Sequence, residues 1–147
     1  GYKPMGIGIA DQIGGEVDLL CASVGTGGAL MGTLYGLYES GLTPKTVALE
    51  PLQSPLLTTG KGGSHKVEGI GVGFYPPFLD KQKIDEFLAI DEEEAFEMRN
   101  LLASQHGIFC GTSTGLNVVG AIQLAKQMSP NENVVTLGCD SGLKYLD

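Results

Sequence analysis

Val24-Gly25-Thr26-Gly27-Gly28-Ala29-Leu30-Met31-Gly32 is the stretch on which the fold turns. It follows an apolar run, Val17-Asp18-Leu19-Leu20-Cys21-Ala22, and leads into a segment of helical spacing over residues 30–39. A strand, a glycine turn and a helix start in that order build an anion site. The first N–H groups of a helix have no intrahelical acceptor, and the aligned peptide dipoles place roughly +0.5 charge there. Glycines keep side chains out of the path of an incoming phosphate. The same turn can also be a plain strand-to-helix connection that holds nothing.

Outward from this turn, strand-like and helix-like segments alternate. Residues 5–13 read as a helix tail stopped by Gly14-Gly15, and residues 17–23 as a strand buried on both faces. Leu30, Leu34 and Leu37, flanked by Met31, Tyr35 and Tyr38, form one broad helical face that ends at Gly41 and Pro44. Residues 46–49 are the next strand, closed by Glu50-Pro51. Residues 51–83 carry glycines and Pro76-Pro77 without a period, and so long a loop is usually functional. Residues 87–90 form a third strand. Asp91 then caps a helix with Glu94 at the capping-box position, its inward face being Ala95, Met98, Leu102 and Ala103, and Gly107 stops it. The acidic run 91–94 is what a helix dipole favours in a first turn, so no metal site is read there. A buried apolar helix is expected over residues 116–128, and a last strand over residues 134–137. This alternation predicts an α/β fold: a three-layer αβα sandwich with a mainly parallel sheet and right-handed crossovers. Ligands of such sheets sit beyond the C-terminal strand ends, where residues 25–28 and 139–142 fall.

At 147 residues the chain has the size of one domain, and 42% hydrophobic with 18% charged residues suits a globular protein. The net charge of −8 argues against nucleic acid and anionic membrane surfaces as partners. No apolar run approaches the roughly 20 residues of a membrane helix. Cys21, Cys110 and Cys139 are odd in number and lack CxxC spacing, which predicts core thiols in a reducing, cytoplasmic setting. The chain opens on Gly1-Tyr2-Lys3 without an initiator methionine, so it is expected to start partway through a larger protein.

Three ordered stretches carry a family resemblance: Val24-Gly25-Thr26-Gly27-Gly28; Val47-Ala48-Leu49-Glu50-Pro51 with Ser54-Pro55, running into residues 65–74; and Gly111-Thr112-Ser113-Thr114-Gly115, followed by residues 140–146. Together they resemble the C-terminal half of the cysteine synthase family, pyridoxal-phosphate enzymes of the tryptophan-synthase-β-like fold (fold type II) that include cystathionine β-synthase. The resemblance implies that Gly25, Thr26, Gly27, Gly28 and Ala29 bind the phosphate of pyridoxal 5'-phosphate. The family usually has threonine at the position of Ala29, so one hydroxyl contact is missing. Ser113 matches the serine that meets the pyridine nitrogen. A neutral partner there makes a shallower electron sink than a carboxylate would, which suits β-elimination and replacement. Gly69, Ile70 and Gly71 match the loop on the substrate side of the cofactor, while His65 and Lys66 read as solvated loop residues.

The implied reaction is β-replacement on an O-activated serine by a sulfur nucleophile through an aminoacrylate, in a homodimer acting on small amino acids. The ending Asp140-Ser141 leans toward cystathionine β-synthase-like or other β-eliminating members. No lysine of this chain lies in the family's Ser-x-Lys-x-Arg setting, and a covalent imine needs one. Residues 1–147 are therefore expected to be a fragment that builds the phosphate cup but is inactive alone. Two other readings stay open. One is a non-catalytic truncated relic. The other is a Rossmann-type dinucleotide module with Glu50 on the ribose, against which stands Leu30 where a third glycine belongs.

Overall fold

The computed structural model describes residues 1–63, 66, 67, 70 and 76–138. Along the chain these form α1 (Lys3–Ile13), β1 (Leu19–Ser23), α2 (Gly28–Glu39), β2 (Lys45–Pro51), α3 (Leu56–Thr59), a 3-10 turn (Lys81–Lys83), β3 (Glu86–Ile90), α4 (Glu92–His106), α5 (Thr112–Ala125) and β4 (Val134–Val135). The four strands form one all-parallel sheet in the order β3-β2-β1-β4. The chain therefore steps from β1 to β2 to β3 in one direction and returns to the far side of β1 for β4. Crossovers of one hand that travel in opposite directions must lie on opposite faces, and they do. One core packs α1 and α2 on Leu20, Ala22 and Ala48; the other packs α4 and α5 on Cys21, Val47 and Leu49. Alternate residues of the same strands feed the two cores, which is why β1 and β2 read as near-continuous apolar runs. Among the described residues no helix is long and apolar enough to cross a membrane.

Helix stops fall where the glycines put them. Gly14 (φ 63°) and Gly107 (φ 66°) are left-handed and close α1 and α4. Several expected boundaries and faces differ. The helix after the glycine turn starts at Gly28 and not at residue 30, and α5 starts at Thr112 and not at residue 116. The last strand ends at Val135 because side chains take over its pairing thereafter. The Asp91 carboxylate accepts the N–H of Glu93 and not that of Glu94, so the expected capping box does not form, and the Glu92 N–H donates to Gln53 Oε1. Tyr35 and Ala103 point outward, and α5 is not buried all round: Ile122 is 42% exposed on its outer face. The long loop after β2 contains α3, whose N-terminal N–H groups are capped by the buried Glu50 carboxylate.

Burial pushes the Cys21 thiol from 9.0 up to about 11, the Thr136 hydroxyl beside it offsetting part of the rise. The unfolded chain then loses this proton first, so stability must fall as pH climbs from 9 to 11. The drop attributable to this group is up to about 3 kcal/mol, because each tenfold change in proton affinity is worth about 1.4 kcal/mol. Urea unfolding of wild type and Cys21→Ala across this range is expected to give stabilities that converge as pH rises.

Helices α1 and α2 meet glycine to glycine. A Cβ on Gly36 would sit 2.1 Å from the Lys3 carbonyl oxygen, and one on Gly6 would sit 2.1 Å from that of Thr33. Backbone cannot yield as a side chain tip can. Gly36→Ala is therefore expected to lower stability in urea by about 1–3 kcal/mol, overpacking outweighing alanine's better helix propensity.

Candidate functional site

The direction of strand order reverses between β1 and β4, and in open α/β sheets ligands occupy the crevice beyond the C-terminal strand ends at such a point. The glycine turn leaves β1 there. Its carbonyls are engaged by the protein: that of Thr26 accepts the Phe78 N–H at 3.0 Å and that of Gly27 the Met31 N–H at 3.0 Å. Thr26 Oγ1 accepts the Gly28 N–H at 3.3 Å, which leaves its own proton to donate. The first-turn N–H groups of Ala29 and Leu30 have no acceptor within the helix by their position.

Two of the glycines have separable reasons. Gly27 has φ 92°, and a Cβ there would lie 2.8 Å from the Leu79 N and 3.1 Å from the Phe78 carbonyl carbon. Both the dihedral and the neighbouring backbone require glycine. At Gly28 the nearest atom to a Cβ would be Thr26 Oγ1 at 3.4 Å, an ordinary contact. The protein itself does not demand glycine at 28. Glycine at 28 leaves the first-turn N–H groups uncovered.

Helix α5 brings Ser113 to the same edge. Ser113 lies inside the first turn, and the N-cap is Gly111, which has no capping side chain. Ser113 is thus not the cap of this helix. Ser113 is 7% exposed, and its neighbour Thr114 has a buried hydroxyl with no partner among the described residues. One turn on, Asn117 fastens α5 to the crevice. Its Oδ1 accepts the Ser23 N–H at 2.7 Å, and its Nδ2 donates to the Leu137 carbonyl at 2.8 Å. Thr136 Oγ1 donates to the Cys21 carbonyl at 2.7 Å. Past Val135, side chains replace the strand ladder, β1 and β4 part, and α5 starts above the opening. The i, i+4 relation of Ser113 to Asn117 puts both on the face turned to the sheet.

The donor set suits a phosphorylated aromatic cofactor. It comprises first-turn N–H groups, the Thr26 hydroxyl, the bared helix end at Gly28, and neutral hydroxyls at the second helix start. Glu50 does not serve a ribose, since Leu57 and Thr58 N–H groups occupy its carboxylate at 2.8 and 2.6 Å and the Thr58 hydroxyl also donates to it. This removes the acidic residue on which the dinucleotide reading relied. Of the expected substrate-side loop, Ile70 is 7% exposed within the α4/α5 core, whereas Gly69 and Gly71 lie outside the described residues. Lys66 is exposed, its N–H donating to Glu92 Oε2 at 2.8 Å, while His65, Cys139 and residues 140–147 lie outside the described residues. Sequence reasoning missed Asn117 and the clamp at Phe78-Leu79. The first had a signal, an amide in the middle of an otherwise apolar helix; the second had none.

Asn117→Leu would leave a buried N–H and a buried carbonyl without partners, at about 1–3 kcal/mol each. The variant is expected to lose about 2–5 kcal/mol in urea unfolding, with faster amide exchange at Ser23 than at Leu20. Uniform exchange across β1 would contradict the placement of the strain at its end.

Residues 1–140 match the family model described as pyridoxal-phosphate dependent enzyme. A probable cysteine synthase of Bacillus subtilis is 38% identical over 136 residues, 92% of this chain and 44% of the relative. An O-acetylserine dependent cystathionine beta-synthase of the same organism is 34% identical over 145 residues, 99% of this chain and 47% of the relative. The crystal structure of a hydrogen sulfide-producing enzyme of Fusobacterium nucleatum, a variant complexed with an alpha-aminoacrylate intermediate, superposes with a TM-score of 0.89 at 33% identity. The match covers 99% of this chain and 44% of that one. The chain thus spans about half the length of the curated relatives it matches.

Proposed function

The chain belongs to the pyridoxal-phosphate dependent enzyme family, and on that premise we propose that it is the C-terminal, cofactor-binding part of a cysteine synthase-type enzyme. Its αβα sandwich is the fold type II architecture of the structures it superposes on. The proposed reaction replaces the β-substituent of an O-activated serine, such as an O-acetyl ester, with a sulfur nucleophile. The observation that carries the reading is the convergence of two helix starts on one switch point, α2 with Thr26 and α5 with Ser113, neither bearing a carboxylate.

Pyridoxal phosphate, when bound, supplies an electron sink conjugated to the substrate amino group. The chain's own part is to hold it. The N–H groups of Ala29 and Leu30 and the Thr26 hydroxyl would take the phosphate oxygens, and the engaged carbonyls of Thr26 and Gly27 keep acceptors out of that cup. Ser113 would donate its hydroxyl proton to the ring nitrogen without protonating it. A carboxylate there would hold a proton on the ring and deepen the sink. Alanine at position 29 leaves the cup one hydroxyl short of the resemblance, which weakens phosphate binding. The covalent step requires a lysine in a Ser-x-Lys-x-Arg setting, which on this reading comes from sequence outside residues 1–147. A cystathionine-forming variant of the reaction is the second reading, favoured by the 34% identity to the O-acetylserine dependent cystathionine beta-synthase. Homodimer formation and a cytoplasmic location belong to the same proposal for the whole enzyme.

Equilibrium dialysis of the chain with pyridoxal phosphate and with pyridoxal tests the cup. A preference of about tenfold or more for the phosphorylated form is expected, equivalent to about 1.4 kcal/mol. Gly27→Val, checked for folding by circular dichroism, is expected to abolish the preference. Equal binding of the two compounds by wild type, or an undiminished preference in the folded variant, would refute the assignment. Reading the coding sequence upstream of Gly1 tests the partition, a Ser-x-Lys-x-Arg segment being expected there and a start codon at Gly1 contradicting it.

A further inference from the structure

Arg99, the only arginine in the sequence, stands at the start of α5. Its Nη1 donates to Thr112 Oγ1 at 3.0 Å, its Nε and Nη2 reach Asn100 Oδ1, and its guanidinium lies 5.5 Å from the Phe96 ring centroid. Among the described residues it pairs with no carboxylate. A cation at a helix N-terminus works against the helix dipole, whose positive pole is already there. Helix-end energetics therefore give no reason for this residue at this place.

The packing beneath it is tight. A Cβ on Gly115 would lie 2.3 Å from the Ala95 carbonyl oxygen and 3.0 Å from the Arg99 N. Helix α4 thus grips the first turn of α5 twice, through backbone at Gly115 and through the guanidinium at Thr112, and Ser113 lies between the two grips. Within that turn, Gly111 provides no capping side chain and the Thr114 hydroxyl is buried without a partner among the described residues. The field of Arg99 also extends below the turn, where it opposes the rise that burial imposes on the Cys110 thiol.

We propose that Arg99 is a positioning residue for the ring-nitrogen end of the cofactor site: through Thr112 it sets the orientation of Ser113, and its charge favours an unprotonated ring nitrogen as the acceptor of the Ser113 proton. The inference rests on the cofactor reading above and adds to it a reason why the nitrogen stays neutral. A hydroxyl partner alone permits that state; a nearby fixed cation makes it the preferred one. Thr112 is the coupling element, because its hydroxyl accepts from Arg99 and its backbone continues directly into Ser113.

The test compares three compounds on the folded chain: pyridoxal phosphate, pyridoxal, and the phosphorylated analogue with carbon in place of the ring nitrogen. Wild type is expected to prefer pyridoxal phosphate over the carbon analogue by about tenfold, the effect of one hydrogen bond. Arg99→Met is expected to cut that ratio to about threefold or less while leaving the preference for phosphate over no phosphate intact. Thr112→Val, which keeps the charge and the shape but removes the acceptor, is expected to fall between the two, and it decides the matter if Arg99→Met does not fold. An unchanged nitrogen ratio in both variants overturns the inference. So does a parallel loss of both preferences, which would mark a merely structural role. Absence of any phosphate preference in wild type overturns the cofactor reading instead, and the inference falls with it.

Discussion

The carboxamide of Asn117 is the constraint on which the rest of the site depends. Paired parallel strands normally stay paired to their ends, because unpaired backbone groups in a dry interior are costly. Here β1 and β4 pair only through Leu19 with Val134 and Leu20 with Val135. Beyond that, the groups left by their divergence are satisfied one by one: the Cys21 carbonyl by the Thr136 hydroxyl, the Ser23 N–H and Leu137 carbonyl by the two ends of one amide. An opening at the switch point is thus built without orphaning these backbone groups. Since the amide belongs to α5, the opening and the position of Ser113 are set by the same pair of hydrogen bonds.

Glycine performs the complementary task of removing slack. At Gly120 a Cβ would meet the Leu49 side chain at 2.5 Å, at Gly115 the Ala95 backbone, at Gly27 the Leu79 backbone, and at Gly36 the Lys3 backbone. Each contact brings a helix or turn close to its neighbour, and at the last three the neighbour is backbone, which meets displacement with hard repulsion and cannot rotate away. The two helix starts at the crevice are both held in this way, α2 by Gly27 against residues 78–79 and α5 by Gly115 against α4. That rigidity is what a site made of N–H groups and short hydroxyls requires, because such donors cannot reach out to a displaced ligand as a lysine could.

Much of this is legible in the sequence because the relevant signals are local. Gly14 and Gly107 announce left-handed helix ends, Asp91 a helix start, and the apolar runs of β1 and β2 a sheet covered on both faces. The family resemblance then implies one site for Thr26 and Ser113. What a sequence reading misses depends on contacts far apart in the chain. The start of α5 at Thr112 is hidden because Gly111-Thr112-Ser113-Thr114-Gly115 has poor helix propensity. The turn forms because Gly115 fits against Ala95 and Arg99 binds Thr112, neither of which is visible in a local window. Glu50 misleads for a similar reason: position at a strand end suggests a ribose, whereas the α3 N-terminus seven residues later claims both oxygens.

The chain carries a net charge of −8, yet the carboxylates nearest its strand and helix ends are turned to partners of their own. Glu50 is turned to α3, Asp91 to the N–H of Glu93, Glu92 to the N–H of Lys66, and Asp18 to the N–H of Asn133. Each is held by a backbone donor, two of them at a helix N-terminus, where a negative charge is stabilised. The polar groups described at the switch point are then neutral hydroxyls, N–H groups and one cation. On the proposed cofactor reading, the guanidinium of Arg99 on Thr112 would favour a ring nitrogen that stays an acceptor, with the Ser113 hydroxyl as its donor.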